Sequence, residues 1–406
     1  MIAALSLALA SPPEGVIGFI YPNESEAYWQ FLIVIYPYIT GLVAGAFILA
    51  SLERVFNVEA ARPTYRLALL TALAFLIVAP MPLLAHLSFP LRFWEILVTP
   101  HFSSAMAMFG FVYIWYLLVV LLLEIWFEYR RDAVTLAQRS TGFLRTFYRI
   151  FTLGVFDTSP KAVEFDDRAI RIISVIGIPS AFLLHGYVGF IFGSVKANPW
   201  WSSVLMPIIF LFSAIVSGIA LVVLIYMVAS VIRKKPFNMK SLDTLCGYLF
   251  YILIIDATLE GLDVLHRTYA AEESFDILYA LVHGRLFETH IVFQLMLGTL
   301  LPLALLGLIQ ITKVSTQIRQ AFYWISTIGV LVGVFFMRWN IVIGGQLFSK
   351  SFRGFTVYKM NLIGSEGLLA GLFFLILPFV ILYGLIRLLP PFEEDEAAAE
   401  HHAVSE

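Results

Sequence analysis

The sequence reads as an all-α integral membrane protein of about nine transmembrane helices: two four-helix bundles plus one C-terminal helix. Charge is scarce, at 13% of 406 residues, while 60% are hydrophobic. Mean hydropathy is +0.88, well beyond a soluble domain, whose apolar share is nearer half. The apolar residues also come in long unbroken runs, and the basic residues crowd into alternate connections between them.

A run of about 20 apolar residues crosses a bilayer as a helix, because only a helix satisfies its own backbone hydrogen bonds in lipid. Nine runs meet that length, at 28–54, 65–88, 102–127, 170–194, 203–232, 242–266, 286–311, 320–343 and 365–389. They divide as an outward N-terminal segment (1–27), a first four-helix bundle (28–194), a second (195–343), an outer loop with the last helix (344–389) and an acidic tail (390–406). MIAALSLALAS at the start has an apolar core and an Ala8-x-Ala10 ending but lacks a basic leader, which weighs against a cleaved signal peptide. The tail EEDEAAAEHHAVSE is acidic and low in complexity, so disorder is expected there.

Orientation follows from the bias of Lys and Arg toward cytoplasmic loops. Arg54, Arg62 and Arg66 follow the first run, and eight basic residues from Arg130 to Arg171 separate the third and fourth. Arg233, Lys234, Lys235 and Lys240 follow the fifth, Lys313 and Arg319 the seventh, and Arg387 closes the ninth. The opposite connections together hold only seven basic residues, and the 266–285 loop carries Glu272, Glu273 and Asp276. The N-terminus is therefore outside and the C-terminus inside, in a prokaryotic cytoplasmic membrane. The one long inner connection, 128–169, contains FLRTFYRIF (143–151), whose alternating aromatics and arginines suit an amphipathic segment on anionic lipid. The net charge of −2 and the lack of any extended basic stripe give no reason to expect nucleic acid.

Ionisable side chains inside a membrane are costly and are functional candidates by default. Counting along the helices, His86, His185, Asp256, Glu260, Arg338, Asn340, Tyr36, Tyr38, His290 and Glu366 all fall in the outer half. Asp256 and Glu260 are four apart and share a helix face. The inner half shows only Glu124 and, at its boundary, Glu128. Such a bias favours one pocket opening outward over a pore. Each residue also has a plainer reading: His185 or His86 as a hydrogen-bonding strut, Asp256 and Glu260 as a structural ion pair with Arg338, Glu124 as a solvated helix-end acid. Taken together, acid–base groups around apolar walls suit a quinone, whose redox chemistry moves two protons with two electrons.

Cysteine arithmetic bounds the alternatives. With Cys246 alone the protein cannot hold a four-thiolate iron–sulfur cluster, close an internal disulfide or attach a c-type haem. A noncovalent haem b between His86 and His185 is a second reading. A secondary transporter, with breaks at Gly177, Pro179 and Pro207, is a third.

Several strings resemble the NrfD/PsrC family, the membrane subunits of polysulfide-reductase-type complexes. They are GLVAGAFILASL (41–52), HLSFPLRFW (86–94), PHFSSAMAMFGF (100–111), LLHGYVGFIFGSVKANPWW (183–201), LMPIIFLFSAIVSGIAL (205–221), RWNIVIGGQ (338–346), GSEGLL (364–369) and RLLPP (387–391). The order resembles the longer branch, with DsrP-type subunits, the HybB-type hydrogenase anchor and the NrfD-like subunits of alternative complex III. The resemblance implies two four-helix bundles, no covalent haem or iron–sulfur cluster in this protein, a quinone (menaquinone or similar) in the outer membrane half, and a ferredoxin-like iron–sulfur partner on the outer face. It places His185, Glu260 and Glu366 on residues of the same type in that branch, and His86 and Arg92 in the turn after the second helix, where Asp often stands in place of His86. That branch is expected to carry ten helices, one more than here, with residues 1–22 as the remnant of the missing one. On this basis the expected quinone ligands are His185, Tyr36, His86 and Arg92. Asp256 and Glu260 are the expected proton relays, and Glu124, Arg338 and Glu366 candidates for a proton path.

Overall fold

The computed structural model describes residues 15–24, 27–99, 101, 103–270 and 272–392. The expectations for the N-terminal leader and the acidic tail concern residues 1–14 and 393–406, which lie outside them. Among the described residues nine helices are long and apolar enough to cross a membrane: α1 Phe31–Arg54, α2 Glu59–His86, α3 Ala107–Arg139, α4 Pro160–Gly193, α5 Met206–Ile232, α6 Met239–Ala270, α7 Phe287–Ile311, α8 Thr316–Gln346 and α9 Leu368–Leu388. All nine runs read from the sequence are present. The protein is all-α, apart from a two-residue strand pair joining β1 (Ile17–Gly18) to β2 (Gly354–Phe355) antiparallel.

Helices α1 to α4 close one ring of contacts and α5 to α8 a second, while α9 lies against α2. The two rings meet where α1 crosses α5, and small residues explain the closeness of that crossing. A Cβ on Gly45 would sit 2.0 Å from the carbonyl oxygen of Ala214, and one on Gly218 would sit 2.2 Å from the backbone of Gly45. In lipid no hydrophobic gain holds helices together, so backbone approach through glycine supplies the packing instead. The same device recurs where Gly298 of α7 meets Gly333 of α8. At the periphery the pattern inverts: Leu369, Phe373, Ile376, Val380 and Tyr383 of α9 are exposed along one stripe, the face turned to acyl chains.

One boundary differs from the sequence reading. The 128–169 connection is largely helical, since α3 runs on to Arg139 and α4 begins at Pro160. Both exceed the ~20 residues a bilayer needs, and their extensions are tied by Arg130, which donates to Asp166 Oδ2 from Nη2 at 2.5 Å and from Nε at 3.0 Å. Charges that pair across two helices extend them beyond the lipid. A short helix, Gly142–Phe151, then folds back against α3.

On the side that the loop charges assign as outer, the ends of α1 and α8 are capped by local polar contacts. Gln346 donates from its side-chain amide to Trp29 O (2.8 Å) and accepts from Trp29 N–H (3.0 Å), and Glu24 accepts from Lys350 N–H at 3.0 Å. The cap holds the first turn of α1 against the end of α8 and so sets the height of the polar residues below it.

Candidate functional site: a buried polar layer and an outer acid–base rim

At about 1.5 Å per residue, His185 and Arg338 each lie eight residues, roughly 12 Å, from the outer ends of α4 and α8. They meet there. Arg338, fully buried, donates from Nη2 to His185 Nε2 (2.9 Å) and to Ser213 Oγ (2.7 Å), and its guanidinium stacks 3.9 Å over the Phe210 ring. A guanidinium has no acceptor atom, so His185 Nε2 must accept and the ring proton sits on Nδ1. That Nδ1–H is buried and has no partner, as is Arg338 Nε. The imidazole fits because Gly41 of α1 faces it: a Cβ at that position would stand 3.0 Å from His185 Cε1.

A second polar chain lies across α6, α7 and α8. Gln294 donates from Nε2 to Glu260 Oε2 at 3.0 Å, while its Oε1 accepts from Asn340 Nδ2 at 2.8 Å and from His290 Nδ1 at 3.0 Å. Asp256, one turn before Glu260, is buried with Oδ1 unpartnered, as is Asn340 Oδ1. The structural ion pair considered between these carboxylates and Arg338 does not form: among the described residues Arg338 makes no ion pair, and its donors go to neutral groups instead. Burial thus leaves several donors and acceptors of this layer unsatisfied, which is uncommon in packed interiors.

His86 and Glu366 form a separate group at the outer rim, joined by His86 Nδ1 and Glu366 Oε1 at 3.0 Å, with Glu366 Oε2 buried and unpartnered. Glu366 lines a cavity of about 190 Å³ together with Gln30, Asn361, Ile363, Ser365 and Gly367. His185, fully buried, does not line this cavity, so the cavity lies apart from the residue around which the sequence suggests a pocket. Tyr36 is buried in α1 with an unpartnered hydroxyl, its ring edge-on to Phe109, and it touches neither group directly. Arg92 is exposed and bound to Glu95 through two hydrogen bonds of 2.6 and 2.8 Å. Those bonds hold the Glu95 carboxyl below its usual range. Arg92 meets Glu95 through Nε and Nη2 and makes no hydrogen bond to His86 or Glu366. His86 and His185 are each hydrogen-bonded to a different side chain, Glu366 and Arg338.

The inner half is more polar than a reading along the helices suggests. Glu124, fully buried in α3, accepts from Ser174 Oγ (2.8 Å) and Tyr65 OH (3.2 Å), and its Oε2 is unpartnered. One turn further in, Glu128 accepts from Arg66 Nε (2.7 Å) and Arg54, and Arg66 also pairs with Asp132 at 2.8 Å. Arg54, Tyr65, Arg66 and Glu128 line a cavity of about 630 Å³, the larger of the two. The outer bias therefore fails as a description of the molecule: helix-end charges that look solvated in sequence turn inward onto one another. Of the residues not foreseen, Gln294 was detectable as a lone amide in an apolar run four residues after His290, whereas Gly41, Ser213 and the Arg66 network had no separate signal.

Fold and polar layer together define a polytopic all-α membrane protein with acid–base groups buried among its helices. The protein matches the family profile described as polysulphide reductase, NrfD, over residues 21–350, and it belongs to that family. It is 31% identical over 334 residues, 79% of its own length and 74% of the relative, to the C subunit of selenate reductase from Mesobacillus selenatarsenatis. Identity is 28% over 210 residues to protein NrfD of Escherichia coli, covering 51% of this protein and 61% of that one. The C component of polysulfide reductase from Wolinella succinogenes is 24% identical over 339 residues, 79% of this protein and 95% of that one.

Proposed function

We propose that the protein is the quinone-interacting membrane subunit of a respiratory oxidoreductase in a prokaryotic cytoplasmic membrane, N-terminus out. In this reading it receives a menaquinol-type headgroup at the outer rim. The observation that carries the proposal is the His86–Glu366 pair beside the outer cavity, where a buried carboxylate oxygen lacks any partner. A cavity of about 190 Å³ is smaller than the roughly 300–1,000 Å³ of sites that enclose a whole ligand. It suits a ring headgroup with its isoprenoid tail left in lipid. Quinol oxidation supplies two electrons and two protons. Glu366 Oε2 is the acceptor placed for the two protons in turn, and His86, hydrogen-bonded to the same carboxylate, passes each outward before the next is taken. The electrons leave to a ferredoxin-like iron–sulfur subunit on the outer face, and two relatives named as reductase components support a reductase at the far end. Deeper in, His185 Nδ1–H and Tyr36 OH offer donors, and Asp256 and Glu260 serve as proton relays with Arg338 balancing their charge. Glu124, bonded to Tyr65 at the inner cavity, is the acid placed to take protons from the other side.

The test uses the intact complex in nanodiscs. Glu366→Gln and His86→Gln are each expected to lower quinol-linked turnover about 10²-fold, the scale of lost acid–base catalysis, with assembly preserved. Wild-type kcat and KM in both variants would remove the headgroup from this rim.

A further inference from the structure

The turn after the short helix Gly142–Phe151 carries a feature that the proposed chemistry does not use. Ile150, Leu153 and Phe156 are 67%, 74% and 49% exposed. Leu153 also holds a left-handed backbone, φ 50°, followed by Gly154 at φ 81°. A bulky residue there is disfavoured where Gly or Asn would be at ease. The turn nevertheless presents leucine.

Three contacts fix its height. Phe151 O accepts from Trp126 Nε1 at 2.8 Å, Asp157 O accepts from Arg130 Nη1 at 2.5 Å, and Tyr148 OH donates to Leu388 O, the last residue of α9, at 2.9 Å. The turn therefore sits where the spans end on the inner side. Phe165 of α4 is likewise exposed, its ring 6.1 Å from that of Phe127. Within 142–161 the charges are Arg145, Arg149 and Lys161 against Asp157 alone. Arg145 and Arg149 are one turn apart, on the side of the helix opposite Phe143 and Ile150. An apolar edge at lipid height flanked by arginines is the pattern of an interfacial anchor.

We propose that residues 143–156 form a foot seated in the leaflet at the inner ends of the spans. Ile150, Leu153 and Phe156 enter the acyl boundary, and Arg145 and Arg149 bind the phosphates of anionic phospholipid. The occupant is thus a lipid surface, chosen over a soluble partner because the exposed side chains lie level with the end of α9 and stand beside two arginines.

A fluorescent probe on Leu153→Cys in the full-length protein, in nanodiscs, tests this. The native Cys246 is buried. Brominated phosphatidylglycerol is expected to quench the probe at least about two-fold more than brominated phosphatidylcholine, with the excess lost in the Arg145→Gln/Arg149→Gln background. No quenching by either lipid overturns the foot. Equal quenching by both overturns the anionic preference. A probe on Arg145→Cys, expected to be quenched less than the one at 153, checks depth, and a stronger signal there overturns the arrangement.

Discussion

Two arginine centres, one around half-buried Arg66 and one around fully buried Arg338, solve the same physical problem differently. At the inner centre Arg66 meets carboxylates directly, Glu128 at 2.7 Å and Asp132 at 2.8 Å, and charge cancels locally. At the outer centre Arg338 gives its hydrogen bonds to an imidazole and a hydroxyl, while Asp256 and Glu260 stand nearby outside ion-pair contact. The inner arrangement is a closed knot. The outer one leaves a cation, two carboxylates and several orphaned polar atoms poised together, which is the condition for protons to come and go. Structural pairing and chemical readiness are thus separated by depth.

Breaking the knot tests the first half of that contrast, and the largest effect is expected there. Arg66→Met leaves Asp132 without its nearest cation and Glu128 with Arg54 alone, and removing one partner of a buried pair costs about 3–5 kcal/mol. Thermal unfolding of the detergent-solubilised protein measures it, and a change below about 1 kcal/mol would show that the knot is not closed. At the outer centre, Arg338→Met removes donors from neutral acceptors, for which about 1–3 kcal/mol is expected. Its signature is the reverse: a smaller loss of stability than Arg66→Met, with a larger loss of quinol-linked turnover. Equal ratios of the two losses at both centres would erase the distinction.

The spans were legible because lipid allows one solution to the backbone's hydrogen bonds, so length and apolarity alone located all nine. Depth was legible too, since helical rise places His185 and Arg338 at one level before any coordinates. Lateral neighbours were not. Which carboxylate Arg338 faces depends on the rotation of α6 and α8, and no periodicity specifies that in helices apolar on nearly every side. His86 found Glu366, 280 positions away, because the end of α2, Met81–His86, meets the loop before α9, a contact that hydropathy does not specify. The inner network was missed for a related reason: Arg54, Arg66 and Glu128 stand at the ends of the apolar runs, where a charge in sequence reads as solvated whether it faces water or another helix.

The smallest expected effect concerns Gly41, where two terms of similar size oppose each other. Alanine would gain about 0.5–1 kcal/mol over glycine in a helix interior. Its Cβ would also stand 3.0 Å from His185 Cε1 and 3.1 Å from Nε2, and overpacking of a full core typically costs about 1–3 kcal/mol. The imidazole can yield only a few tenths of an ångström before it loses the Arg338 hydrogen bond, because Phe210 stacks behind it at a ring separation of 5.6 Å. Gly41→Ala should therefore leave unfolding within about 1 kcal/mol of the parent protein while shifting the imidazole, which nitrogen-15 chemical shifts of His185 would report. An unchanged imidazole spectrum would mean that Gly41 does not set its place, and that the outer centre is held by Arg338 and Ser213 alone.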